Sequence, residues 1–383
     1  MEQRERIDYD TDPIKHFVRY DGWLEACRLQ HRNVQSAIRA GRRKQPFSYF
    51  TFCASNAIDV FMLEKAGLLK RDEESGRLNH IYFCEKDDRE FEQVVNLIKS
   101  DEAGFKGDFK KFVLFEDSEF TLGKDEYDIQ EEVPNPRIRE SFYHKRLHKR
   151  FRNLFPLDVI NLDPYGVFFP QHEHKYSAML KAIERIFDWQ QNSKAEDEHQ
   201  CEKFTLMLTT HLEEEACLPA AVDELKDAAA DNIKRHPEFS EAFKTKFKHT
   251  DPYALTSSDF PTFFAVTLPK LIAPIAQRYG WFGQHRKIYT YVRLTRVGAP
   301  YYMMSSVVNY ERLSIDSSRL PRFWDSVPEV VEQEYVKEMC NILAYKPTDV
   351  VQYLDTYPHK KASVVEDLQS IVDYREAFLA ANM

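Results

Sequence analysis

Residues 155–171 read FPLDVINLDPYGVFFPQ. The run LDVINL (157–162) is apolar and β-branched enough for a strand buried on both faces, and it ends abruptly in Asp163, Pro164, Tyr165 and Gly166. A buried strand that delivers an acid, a proline, an aromatic and a glycine to its mouth places hydrogen-bonding and stacking groups where an open sheet meets ligands. Asp and Pro are also ordinary turn residues, so a plain strand-terminating turn is the alternative. The tripeptide recurs at Asp251, Pro252 and Tyr253, but between KFKHT and ALTSSD, with no strand to carry it. That copy reads as a turn.

Working outward, the segment before this strand is a basic helix, RIRESFYHKRLHKRFRN, preceded by an acidic, loop-like stretch, FTLGKDEYDIQEEVPNP. FSYFTFC (47–53) is an aromatic, β-rich run, followed by Ala54, Ser55 and Asn56 and by AIDVFMLEKAGLL at helical spacing. IYFCE forms a second strand ending at Glu85, with a helix behind it whose apolar face holds Phe91, Val94, Val95 and Ile98. KKFVLFED (110–117) reads as a third strand that ends in acids, and KFTLMLTT (203–210) as a fifth. KIYTYVRLT (287–295) and YYMMSSVVNY (301–310) are joined by RVGAP, which is long enough for an antiparallel hairpin and too short for a crossover helix.

Strands alternating with helices predict an α/β fold with a parallel sheet. The expected organisation is an N-terminal helical segment (1–45), one domain (46–312) with a helical insertion at about 212–280, and a helical appendage (313–383). The chain of 383 residues is 43% hydrophobic and carries a net charge of −9, which excludes indiscriminate coating of nucleic acid but leaves room for a local basic face. No apolar stretch is long enough to span a bilayer, and MEQRERIDYDTD is too polar for a signal peptide, so the cytoplasm is the expected location. Six cysteines without a C-x-x-C pair predict reduced thiols and no zinc site. His172 and His174 lack a third ligand at a recognisable spacing, and HLEEEAC (211–217) lacks the second histidine of a metalloprotease helix, so no metal is expected.

Five strand–helix units closed by an antiparallel hairpin resemble class I S-adenosylmethionine-dependent methyltransferases, which have a Rossmann-like sheet. More narrowly, TFCASNAIDVFMLEKAG, YFCEKDDREFEQVVNLI and VINLDPYG look like the corresponding segments of tRNA N2,N2-guanosine dimethyltransferases and of the three-Cys-motif partner proteins, over roughly residues 46–170. The resemblance implies S-adenosylmethionine as cofactor, held by Cys53, Ala54, Ser55 and Asn56 in the first loop, by Glu85 on the ribose hydroxyls and by Asp117 near the adenine amine. It also implies that the acid Asp163 and the carbonyl of Pro164 accept from a target amine, that Tyr165 stacks on the base, and that Gly166 lets the backbone turn. The first loop contains no glycine, a departure from the usual cofactor turn.

Arg137, Arg139, Lys145, Arg146, Lys149, Arg150 and Arg152 cluster on the basic helix, which reads either as a solvated face or as a phosphate-binding one. The patch RAGRRK (39–44) has the same two readings. The leading expectation is methylation of an exocyclic amine of a nucleic-acid base, RNA ahead of DNA. The competing one is a non-catalytic, methyltransferase-like subunit that works with a protein partner, as in a multi-protein antiviral defence system.

Overall fold

Asp12 accepts a hydrogen bond from the Ile14 amide at 2.9 Å and Pro13 takes the first helical position, so the N-terminal segment becomes helical as expected. Helix α1 (Pro13–Val18), a π-helical turn (Arg19–Leu24) and α2 (Glu25–Arg39) follow without a break. The computed structural model describes residues 12–115, 136–164, 166–171, 178–192, 202–294, 300–312, 340, 343 and 347–382. The chain divides into two units: Cys27–Asn161 with Ala178–Cys201 and Ser370–Met383, and Met1–Ala26 with Leu162–Ser177 and Glu202–Gln369.

In the first unit every residue of β1 (Tyr49–Thr51) is buried, as its aromatic sequence demands. After α3 (Ile58–Lys65) come β2 (Ile81–Glu85), α4 (Asp88–Ile98) and β3 (Gly104–Lys106). The strands lie parallel in the order β3-β2-β1-β4, with β4 (Val159–Leu162) beside β1 in the register Thr51 to Asn161. Helix α4 is capped by Asp87, which accepts from the amides of Arg89 and Glu90, and it buries Phe91, Val94, Leu97 and Ile98. Leu97 takes the inward place expected for Val95. Gly104 is required by space: a Cβ there would lie 2.6 Å from the Phe91 ring.

The expected third strand at 110–117 is not one. Phe109–Val113 form helix α5, and β3 lies a few residues earlier. Gly107 leaves the strand at φ +137°, Asp108 then accepts from the Lys110 amide at 3.0 Å, and Phe109, Phe112 and Val113 fall on one buried helical face. Apolar density alone did not distinguish a short buried helix from a strand.

Helix α6 (Pro136–Arg152) packs Leu147, His148 and Phe151 inward, and His148 Nδ1 lies 2.9 Å from the Phe112 carbonyl oxygen. The Phe151 ring sits 4.8 Å from Phe50, which ties the helix to β1. On α7 (Ala178–Asn192), the buried Gln190 side chain bonds both backbone groups of Leu157 and so fixes the entry to β4.

The second unit carries strands in the order β5-β7-β6-β8. β5 (Lys203–His211) pairs antiparallel with β7 (Pro300–Arg312), which forms the expected hairpin with β6 (Trp281–Leu294); β6 starts earlier than its expected run and β7 extends past both ends of its own. Three helices, α8 (Pro219–Arg235), α9 (Pro237–Phe247) and α10 (Phe260–Arg278), fill the expected insertion, and α10 packs on β6 and β7. A two-residue strand, β8 (Thr348–Asp349), runs parallel to β6 before α11 (Val350–Thr356) and α12 (Pro358–Asn382), an element too short to show in the sequence pattern. The class is thus α/β with a mixed, mostly parallel sheet, compatible with a Rossmann-like fold. Among the described residues no helix is long and apolar enough to cross a membrane, and no group of His, Cys, Asp or Glu is placed to hold a metal ion.

Candidate active site

Asp163 follows β4 directly, as the sequence requires, but its carboxylate already has a partner. Lys15 Nζ on α1 donates to Asp163 Oδ2 at 2.5 Å, with the two side chains only 8% and 12% exposed. Nothing in the sequence singled out Lys15: its partner is 148 residues away, beyond the reach of any local pattern. Pro164 is half-buried, whereas Tyr165 lies outside the described residues.

Gly166 adopts φ +136° with no heavy atom within 4 Å of where a Cβ would stand, so conformation rather than crowding selects glycine here. Its carbonyl oxygen accepts from the His211 amide at 3.2 Å and from Thr210 Oγ1 at 3.2 Å. Val167 then bridges His211, and the Phe169 carbonyl accepts from the Leu218 amide. The chain leaving Gly166 is therefore stitched to the end of β5. The second Asp-Pro-Tyr is a capped 3-10 turn, in which Asp251 accepts from the Tyr253 amide and the Tyr253 hydroxyl donates to Asp227.

The N-terminal helix meets the hairpin through polar groups. Lys287 Nζ and the Tyr289 hydroxyl both donate to Asp21 Oδ2, at 2.7 and 2.6 Å, and Trp23 Nε1 donates to Ser305 Oγ at 3.2 Å. Gly22 lies so close to Tyr289 that a Cβ would approach the ring to 2.8 Å. Further along β6, Tyr291 and Arg293 point to the same face as Tyr289, because side chains alternate along a strand. Tyr291 is 2% exposed, and its hydroxyl has no hydrogen-bond partner among the described residues. Burial, and then the charge of Asp163, push the Tyr291 hydroxyl far up, against the pull of Arg293 and Arg19. Burial and Arg293 hold the His211 imidazole below its ordinary range, with Asp163 opposing them. At neutral pH His211 is a neutral ring, and Arg293 acts on both it and the Tyr291 hydroxyl.

In the parallel unit the proposed cofactor residues stand at the carboxyl ends of β1 and β2. Cys53 is buried, Ala54 is exposed, and Ser55 and Asn56 are half-buried. The left-handed residue of this glycine-free turn is Ala57 (φ 49°), and it begins α3 without a side-chain cap. Beneath the turn lies a polar network that sequence reading missed. Asp59, 6% exposed, accepts from Tyr49 Oη at 2.9 Å and Thr51 Oγ1 at 2.7 Å, and Asn161 Nδ2 donates to Tyr49 Oη at 3.0 Å. An acid inside the apolar run AIDVFML was its one visible signal.

Glu85 ends β2 as expected. Its Oε1 accepts from the Lys86 and Asp87 amides at 2.6 and 2.8 Å, while burial draws the carboxyl above its ordinary range against those two bonds. Asp117 lies outside the described residues, and with β3 moved, the acid that follows the third strand is Asp108, occupied as the cap of α5.

The basic helix divides. Arg150 Nη2 donates to the carbonyl oxygens of Glu102 and Gly104 at 2.8 and 2.9 Å, and its guanidinium lies 4.6 Å from the Phe105 ring, so it belongs to the β3 edge. Lys145, Arg146, Lys149 and Arg152 are exposed; the side chains of Arg137 and Arg139 lie outside the described residues. In the RAGRRK patch, Arg43 is likewise consumed, gripping the buried Asp158 with both nitrogens at 2.6 and 2.7 Å. His172 and His174 lie outside the described residues.

A family described as PP_RS20740-like matches residues 139–270, a stretch that includes most of α6, β4 and the Asp-Pro-Tyr-Gly loop. No curated protein matches the chain.

Proposed function

We propose that this chain is a class I S-adenosylmethionine-dependent methyltransferase acting on an exocyclic amine of a nucleic-acid base, with RNA ahead of DNA as substrate. The observation that carries the reading is Asp163–Gly166 following directly on β4, the parallel neighbour of β1, in a backbone form that only the glycine permits. The cofactor, when bound, supplies the reactive methyl on its sulfonium, so the protein's work is positioning.

The residues present fit such a cofactor. Glu85 Oε1 is occupied by two amides, which orients the carboxylate and leaves Oε2 for a ribose hydroxyl. The small residues Ala54 and Ser55 let the backbone approach a ligand, and α3 starts without a side-chain cap. The buried Asn161 Oδ1 has no partner among the described residues and suits a donor. On the target side, Lys15 occupies Asp163 Oδ2, so Oδ1 is the oxygen that would accept from the amine. Exposed Lys145, Arg146 and Lys149 would meet backbone phosphates.

The same ion pair supports a second reading, a non-catalytic methyltransferase-like subunit with a protein partner, because Lys15 already takes one acceptor oxygen and the first loop has no glycine. Calorimetric titration with S-adenosylmethionine separates the two. Binding in the micromolar range, with labelled methyl transferred to transcribed tRNA by the wild type and lost in Asp163→Ala, is the expected result. Absence of binding heat would favour the scaffold.

A further inference from the structure

The amino ends of β1 and β2 border a cavity of about 800 Å³, at the opposite ends of these strands from Cys53–Asn56 and Glu85. One wall is a single stripe of α2, His31, Gln35 and Arg39, spaced by four residues. Facing it are Lys70 and, just before β2, Asn79 and His80. His80 holds φ +58°, unusual for a residue with a side chain, and its carbonyl accepts from the Tyr49 amide at 3.0 Å.

The cations here differ in how they are used. Arg71 is spent on the fold: it grips both oxygens of Glu64 and donates to the carbonyls of Gly76 and Leu97. The side chains of Arg39 and Lys70 make no hydrogen bond or ion pair among the described residues, and both residues line the cavity. Burial and Lys70 hold His31 below its ordinary range, and burial and Arg43 do the same for His80, so both imidazoles are neutral hydrogen-bonding groups at neutral pH. The volume falls within the roughly 300–1,000 Å³ of small-molecule sites.

We propose that this cavity is a second ligand site, for a phosphate monoester of a sugar, with Arg39 and Lys70 on the phosphate and Gln35, Asn79, His31 and His80 on the hydroxyls. The bland alternative, solvated surface cations, accounts for each charge singly but not for their convergence with four neutral donors on one cavity. A long polyanion fits poorly, because Asp72, Glu73 and Glu74 also line the cavity and would repel any phosphate beyond the one that Arg39 and Lys70 hold. Phe47, the one aromatic residue besides the histidines in the lining, is only 3% exposed, so it offers no platform for a base.

The test is calorimetry of the full chain with ribose 5-phosphate, adenosine monophosphate and inorganic phosphate, beside the Arg39→Gln/Lys70→Gln variant. Ribose 5-phosphate should bind, and the variant should lose about tenfold for each charge-assisted contact removed, roughly a hundredfold together. Adenosine monophosphate binding as tightly would identify the sugar phosphate of a nucleotide as sufficient; weaker binding would identify the free sugar phosphate. Both replaced side chains are exposed, so the thermal midpoint should not move. Imidazole resonances of His31 and His80 should shift on titration of the wild type. No heat from either ester at millimolar concentration, unchanged affinity in the variant, or unmoved imidazoles would overturn the proposal. The site shares no residue with the proposed methyl-transfer machinery, so its titration is indifferent to the fate of that reading.

Discussion

Replacing Lys15 by Met tests whether Asp163 is held by its ion pair or merely near it. Both side chains are almost wholly withdrawn from water, at 8% and 12% exposure, and the contact is 2.5 Å. Methionine retains the apolar stem and much of the volume, so the loss is chiefly electrostatic. A buried carboxylate left without its partner costs about 3–5 kcal/mol. Asp163→Asn should cost less, about 1–3 kcal/mol, because an unpaired ammonium on a flexible stem can swing toward water. In the double variant neither charge remains, so its cost should fall well below the sum of the two single changes. Urea denaturation followed by circular dichroism and tryptophan fluorescence reads all three, since Trp23 and Trp281 are buried in the unit that holds the pair. A Lys15→Met protein within about 0.5 kcal/mol of wild type, or strictly additive single changes, would refute the coupling.

Arg43→Ala should destabilise by about 3 kcal/mol, since Asp158 is 2% exposed and keeps only its bonds from Ser48; the same denaturation series checks it. If α6 grips phosphates, Lys145→Gln, Arg146→Gln and Lys149→Gln should each flatten the slope of log affinity against log salt by about 0.7–0.9. Arg150→Gln should instead lower stability, because its guanidinium serves two backbone carbonyls; a flattened slope in Arg150→Gln with unchanged stability would contradict that division. Glu85→Ala should weaken cofactor binding by about 1.5–3 kcal/mol in calorimetry. Its carboxyl titrates above the ordinary glutamate range, and a hydroxyl donor prefers the ionised form, so affinity is full above the raised pKa and falls as pH drops through it. Glu85→Gln should abolish that acid limb, and its persistence would assign the limb to another group.

What the sequence made legible was whatever depends on neighbours along the chain. Strand β2 ends at Glu85, and helices fill the insertion at about 212–280, both as read from the sequence. The tight RVGAP connection implied the hairpin, and β6 and β7 form it. Where two short-range signals competed, the reading failed. KKFVLFED has strand-like density, but Gly107 and Asp108 just before it are a stop and a cap, and they decide. Basic residues show a similar limit: charge is visible in a sequence, whereas its use is not. Arg43, Arg71 and Arg150 are spent on carboxylates and carbonyls inside the fold, while Arg39, Lys70 and Lys149 are exposed.

Lys15 and Tyr291 were illegible for a further reason, since their meaning depends on Asp163, at sequence separations of 148 and 128 residues. A lysine buried in a helix and a tyrosine buried in a strand each look like errors of patterning until they are placed against a single acid. Arg19 and Arg293 act on the Tyr291 hydroxyl in the sense opposite to Asp163 and Asp12, so that buried group stands among charges of both signs. Because Lys15 already neutralises the Asp163 carboxylate, a protonated amine would gain little there, whereas the neutral exocyclic amine of a base needs only the acceptor Oδ1. If Asp163 meets the target amine, the Lys15–Asp163 pair should therefore favour a neutral amine over a protonated one, and a substrate survey comparing base amines with lysine side chains would read that preference directly; equal methylation of both would contradict it.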